Sequence, residues 1–126
     1  MEIMNGNHAK PKVLLADDEQ VIADTLAMIL NQSGFEARPV YSGEKAVEMA
    51  GVFQPDMLIS DVIMSDLNGI EAAIRIRALL PQIKILLFSG QAATADLLEK
   101  ARSQGYEFEI LAKPVHPQDL LNRLRG

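Results

Sequence analysis

The sequence predicts a doubly wound α/β domain, a parallel five-stranded sheet with helices on both faces. Three observations carry this. Short apolar runs of strand length alternate with segments of helical spacing, five times over, the order that builds α/β folds. The strongest runs are continuously apolar, as in a parallel sheet covered on both faces. Polar residues then appear abruptly after these runs, beyond the carboxyl ends of the strands, where such folds gather their functional groups.

The first strand is expected at Lys12–Ala16, the third at Met57–Ser60 and the fourth at Ile83–Phe88; weaker runs at Phe35–Val40 and Glu107–Ala112 supply the second and fifth. Glu19–Ser33 has helical spacing, with Ile22, Leu26, Ile29 and Leu30 on one face and Gly34 as a stop. Glu44–Ala50 is a short helix with Ser42 available as its N-cap. Ile70–Leu80 runs up to Pro81, Ala92–Gln104 is followed by Gly105, and Pro117–Arg125 begins with a proline suited to a first helical turn. Residues 1–10 have the character of a loose tail, leaving 11–126 as one domain.

Composition narrows the function. The 126 residues suit one domain, and 48% hydrophobic residues are enough to bury a core without metal or disulfide staples. There is no cysteine, which excludes a disulfide framework, thiolate metal sites and a cysteine nucleophile. The net charge is −5 and the basic residues are scattered, which disfavours direct nucleic-acid binding. No apolar stretch is long enough to span a bilayer, and the first ten residues lack a signal-peptide pattern. A cytoplasmic location is expected.

The strand ends hold the chemistry. Asp17-Asp18-Glu19 follows the first strand, Asp61 the third, Ser89-Gly90 the fourth and Lys113-Pro114 the fifth. Clustered carboxylates repel one another unless protonated or neutralised. A hard divalent cation resolves this, and Mg2+ typically uses one or two carboxylates with water and phosphate oxygens. A lysine and a small hydroxyl beside the cluster suit phosphoryl oxygens, and a carboxylate can be the nucleophile that forms an acyl phosphate. Each piece has a plainer meaning. The acids could cap a helix, Asp61 and Asp66 could be loop residues, Ser89-Gly90 a turn, and Lys113 a surface lysine. Their conjunction at one sheet edge is what points to phosphoryl chemistry.

With LLADDEQ, LISDVIMSDLNG, LLFSG and LAKPV in order, the chain resembles the response-regulator receiver family of two-component signalling, from roughly Lys12 to Arg125. Gly69 stands where that family closes the loop after its phosphorylated aspartate. The resemblance implies a flavodoxin-like sheet of strand order 2-1-3-4-5. It implies that Asp61 is the phosphoacceptor, that Asp18, Asp61 and the backbone carbonyl of Ile63 ligate Mg2+, and that Asp17 acts through water. Lys113 would contact the phosphoryl group, the Lys113–Pro114 bond would be cis, and Ser89 would move to report phosphorylation. The implied partners are a histidine kinase or histidine phosphotransfer protein as donor and an unidentified downstream protein, contacted through the fourth helix, fifth strand and fifth helix. Self-phosphorylation and slow autodephosphorylation, without multiple turnover, would be the only catalysis.

The sequence departs from the family in three places. Ser65 replaces a common proline, Ile110 stands where an aromatic lies three residues before the lysine, and GYEFEILAKP is one residue longer than the commonest pattern. The route of signal transmission therefore differs from the usual aromatic swing. The positions two after the aspartate and two after the hydroxyl, Ile63 and Gln91, govern hydrolysis in the family; an apolar Ile63 cannot orient water, so decay should not be unusually fast. His116 and His8 are expected on the surface, the six methionines as core filler and loop residues, and Arg75 and Arg77 on a solvated helix face. Two other functions fit the same residues. A phosphate-independent binding module is favoured by Ile110 and opposed by Asp18, Asp61 and Lys113; an aspartyl-phosphate hydrolase commonly has acids two residues apart, whereas Asp17 and Asp18 are adjacent.

Overall fold

The computed structural model describes residues 9–90 and 94–125. Its elements alternate as expected: β1 (Lys12–Ala16), α1 (Gln20–Gln32), β2 (Glu36–Val40), α2 (Gly43–Phe53), β3 (Met57–Asp61), α3 (Gly69–Leu79), β4 (Lys84–Ser89), α4 (Thr94–Ser103), β5 (Glu109–Ala112) and α5 (Pro117–Arg125). The strands form one parallel sheet in the order β2-β1-β3-β4-β5.

Successive side chains of a strand point to opposite faces, and here both faces are buried. Val13 and Leu15 of β1, Ile59 of β3, and Leu86 and Phe88 of β4 pack with Leu26 and Leu30 of α1 and Leu120 and Leu124 of α5. Leu14, Leu58, Ile85 and Leu87 face the other way, against Ala46 and Phe53 of α2, Ile76 of α3 and Ala101 of α4. That two-sided burial is why these runs are continuously apolar. None of the described helices is long and apolar enough to cross a membrane.

Some expectations need correction. The buried stripe of α1 is Ala23, Leu26, Ala27 and Leu30; Ile22 is exposed and Ile29 half-buried, because the packed face is turned toward the small alanines. Helix α2 continues past Ala50, since Phe53 anchors its last turn in the core and Gln54 closes it at φ 56°. Strand β5 starts only at Glu109, where pairing with Leu86 begins. Arg77 does not lie on a solvated face: it is half-buried, donates to the Ile83 carbonyl at 3.2 Å and sits 5.8 Å from the Phe108 ring centroid. Ser42 does cap α2, accepting from the Lys45 amide at 3.1 Å, and Gly34 and Gly105 follow their helices with φ of +97° and +93°.

Candidate functional site

The register of the sheet assembles the site. Ala16 of β1 pairs with Ser60 of β3, so Asp17 and Asp61 leave the sheet side by side. Asp61 pairs with Phe88 and Ser89 with Ala112, which brings Ser89 and Lys113 to the same edge. Carboxylate oxygens of Asp17, Asp18 and Asp61 lie within 4.8 Å of one another. From the other side the Lys113 ammonium donates to Asp61 Oδ2 at 2.6 Å, while the Ile63 amide donates to Oδ1 at 3.3 Å. The Lys113–Pro114 bond is cis.

Asp17 and Asp18, adjacent in sequence, are placed very differently. Asp17 is 1% exposed and Asp18 lies at the surface. Asp17 Oδ1 accepts from the Glu19 amide at 2.9 Å, but its buried Oδ2 has no hydrogen-bond partner among the described residues. Capping does not account for this cluster, because α1 has no side-chain cap. A buried carboxylate oxygen without a partner is costly. Together with the close approach of the Asp17, Asp18 and Asp61 carboxylates, it fits a hard cation with oxygen ligands such as Mg2+.

Charge and burial set the protonation here. Burial pushes the Asp17 carboxyl above its ordinary 3.8, the Glu19 amide opposes this, and the Asp61 charge adds to the rise. Burial works against the Lys113 ammonium, but the hydrogen bond and charge of Asp61, helped by Asp17 and Glu19, outweigh it and raise its pKa above 10.5.

A carboxyl whose pKa is higher folded than unfolded binds more protons in the native state. Without metal, the contribution of Asp17 therefore becomes unfavourable as pH rises from 3.8 through the raised value, and stays so above it. Asp17→Asn should accordingly stabilise the metal-free protein at neutral pH, by about 1 kcal/mol, a common gain where an active-site strain is relieved. Urea unfolding in EDTA measures this. The same variant should bind Mg2+ more weakly, and a variant destabilised in EDTA would contradict the reading.

A cavity of about 280 Å3 opens over Asp61, lined by Asp18, Glu19, Ile63, Gly90, Thr94 and Lys113. Ile63 is 43% exposed at its rim. Ser89 is turned toward α4, where its hydroxyl is hydrogen-bonded to that of Thr94. Gln91 lies outside the described residues. Ile110 is half-buried against the core beneath α4, and Tyr106 and Phe108 stack on each other with centroids 6.4 Å apart. His116 is exposed. Asp66 stays out of the site: its carboxylate accepts from the Gly43 and Glu44 amides at 3.0 Å each, which caps α2, and the Glu44 amide leads in holding its pKa below the ordinary value. Beside the cavity, sharing Glu19 and Lys113 with its rim, runs an apolar groove of about 620 Å3 between α1 and the Pro114–Pro117 turn. Sequence reasoning missed Thr94, the cap made by Asp66, and this groove.

Comparison with known proteins agrees with this geometry. Residues 13–125 match the family model described as the response regulator receiver domain. The transcriptional regulatory protein PdtaR of Mycobacterium tuberculosis is 36% identical over 113 residues, covering 87% of this chain and 53% of PdtaR. The autoinducer 1 sensor kinase/phosphatase LuxN of Vibrio harveyi is 36% identical over 91 residues, 72% of this chain and 11% of LuxN. This chain thus spans about half of the one and a small part of the other. Among solved structures, chemotaxis protein CheY4 of Vibrio cholerae superposes with a TM-score of 0.82 at 27% identity, covering 93% of this chain and 98% of that one.

Proposed function

This chain belongs to the response regulator receiver family, and from that premise we propose that it is a phosphoacceptor switch in which Asp61 takes a phosphoryl group from a partner's phosphohistidine. Accepting a phosphoryl group is general to the family; the site, the metal and the partners are our assignment. The observation that carries it is the setting of Asp61. Its carboxylate is 7% exposed at the end of β3, with acidic neighbours on one side and the Lys113 ammonium at 2.6 Å on the other.

In the transfer, an Asp61 carboxylate oxygen attacks phosphorus, the P–N bond to the donor imidazole breaks, and its electron pair returns to the ring nitrogen, which takes up a proton. Receiver domains generally use Mg2+ at an acidic pocket; Asp18, Asp61 and the Ile63 carbonyl would hold it, with Asp17 acting through water, and it would neutralise charge on the phosphoryl oxygens. Lys113 holds Asp61 in place beforehand and carries positive charge for the phosphoryl group afterwards. The half-buried surroundings strengthen these charge interactions. Ile63 offers no group to orient an attacking water, which favours an acyl phosphate that does not decay unusually fast.

An exposed apolar groove beside the cavity supports a protein donor. A histidine kinase or histidine phosphotransfer protein would approach Asp61 across the groove, where Val21 is 78% and Ile22 37% exposed. Apolar contacts there would hold a partner while its imidazole enters the cavity. Downstream output would be by protein contact or onward transfer. One observation favours a second reading, a phosphate-independent binding module: an isoleucine, half-buried at Ile110, replaces the usual mobile aromatic.

Incubation with Mg2+ and phosphoramidate, followed by intact mass measurement, separates the readings. The switch takes up one phosphoryl group per chain and only with Mg2+. No uptake by folded protein favours the binding module, and repeated turnover of a phosphate ester would mark a hydrolase.

A further inference from the structure

The hydroxyl expected to sense the phosphoryl group is already engaged. Ser89 closes β4 and Thr94 opens α4, and their hydroxyl oxygens are hydrogen-bonded to each other. Thr94 is 2% exposed, so its hydroxyl is removed from solvent. The cavity over Asp61 is lined by Gly90 and Thr94, with Ser89 set back from it. Ser89 is fixed at its backbone too, since its carbonyl accepts from the Lys113 amide at 3.2 Å.

We propose that Thr94 is a positioning residue of the switch, holding the Ser89 hydroxyl away from the Asp61 cavity until a phosphoryl group wins it. This rests on the phosphoacceptor reading above. Either hydroxyl can donate in the Ser89–Thr94 bond, so what separates that contact from one with a phosphoryl group is where the Ser89 side chain points and not a shared proton. To donate to an oxygen on Asp61, Ser89 must leave its present rotamer and its contact with Thr94. Phosphoryl binding and the Ser89–Thr94 bond are therefore alternatives, each formed at the expense of the other. Because Thr94 is the first residue of α4, breaking that bond removes one tie between the first turn of the helix and the end of β4. This gives the fold a route from Asp61 to α4 that needs no aromatic at Ile110.

The prediction inverts the usual effect of deleting a polar contact. If Thr94 restrains Ser89, removing its hydroxyl should favour the phosphorylated geometry. Beryllofluoride with Mg2+, titrated into the full chain by NMR, reads this directly as an acyl-phosphate mimic. Thr94→Val should bind it about two- to tenfold more tightly than wild type, the range one neutral hydrogen bond supplies. Thr94→Ser keeps the hydroxyl and should restore wild-type affinity. In a Ser89→Ala background, Thr94→Val should have no effect. Thr94→Ala also lacks the hydroxyl and replaces the valine variant if that does not fold. Weaker or unchanged binding by the hydroxyl-free variants would overturn the proposal, weaker binding making Thr94 itself a phosphoryl donor. An equal gain without Ser89 would overturn it as well. Failure of wild type to bind beryllofluoride is a separate outcome, which sinks the phosphoacceptor reading and this inference with it.

Discussion

Lys113→Ala is expected to slow phosphorylation of Asp61 by phosphoramidate about a hundredfold, the scale on which losing one preorganised electrostatic partner acts. The lysine has two tasks. Before transfer its ammonium, 2.6 Å from Oδ2, orients the Asp61 carboxylate and offsets the charge of Asp17. During transfer it meets charge that grows on the phosphoryl oxygens. Alanine removes both and leaves a cluster of three carboxylates, two of them buried, without its cation. Lys113→Arg should recover little, because a planar guanidinium does not fill the place of a compact ammonium. Rates from time-resolved intact mass measurement decide the matter, and an unchanged rate would remove Lys113 from the chemistry.

Gly69→Ala should cost roughly 3 kcal/mol of stability, at the upper end for forcing an atom into a packed interior. Gly69 opens α3 and is buried, and its amide donates to the Val62 carbonyl at 2.8 Å. A Cβ there would lie 2.0 Å from the Asp61 carbonyl oxygen and 3.0 Å from Ser60 Oγ. The first of these is backbone, so the clash cannot be relieved by turning a side chain. Either the turn opens or β3 shifts, and both move Asp61. Urea unfolding should show the loss of stability, and the surviving folded protein should phosphorylate slowly. A variant of wild-type stability would mean that the loop has room the structure does not give it.

The fold was legible because its strands are buried on both faces. Continuous runs such as Leu14-Leu15 and Leu86-Leu87 alternate between two cores, so every position is apolar. The strand-end residues could be read for the same reason: an abrupt polar residue after such a run lies at the sheet edge. What escaped depends on contacts between distant segments. Periodicity favoured Ile22 over Ala23 as a core residue of α1, since it weighs apolar size and not the direction from which the sheet approaches. Arg77 read as solvated because nothing local shows that Phe108 would pack over it. Asp17 and Asp18 are equivalent in sequence, and only the fold buries one and exposes the other. Thr94 carried no signal at all, because its meaning comes from how the start of α4 is set against the end of β4, which pairs its hydroxyl with that of Ser89.

The central claim is that the phosphoryl group resides on Asp61, and reductive trapping tests it most directly. Borohydride reduces an aspartyl phosphate to an alcohol, which peptide mass mapping can locate. After treatment with Mg2+ and phosphoramidate, we predict one reduced residue, at position 61, absent when Mg2+ is withheld and absent in Asp61→Asn. Reduction at another carboxylate, or equal phosphoryl uptake by Asp61→Asn, would contradict the account.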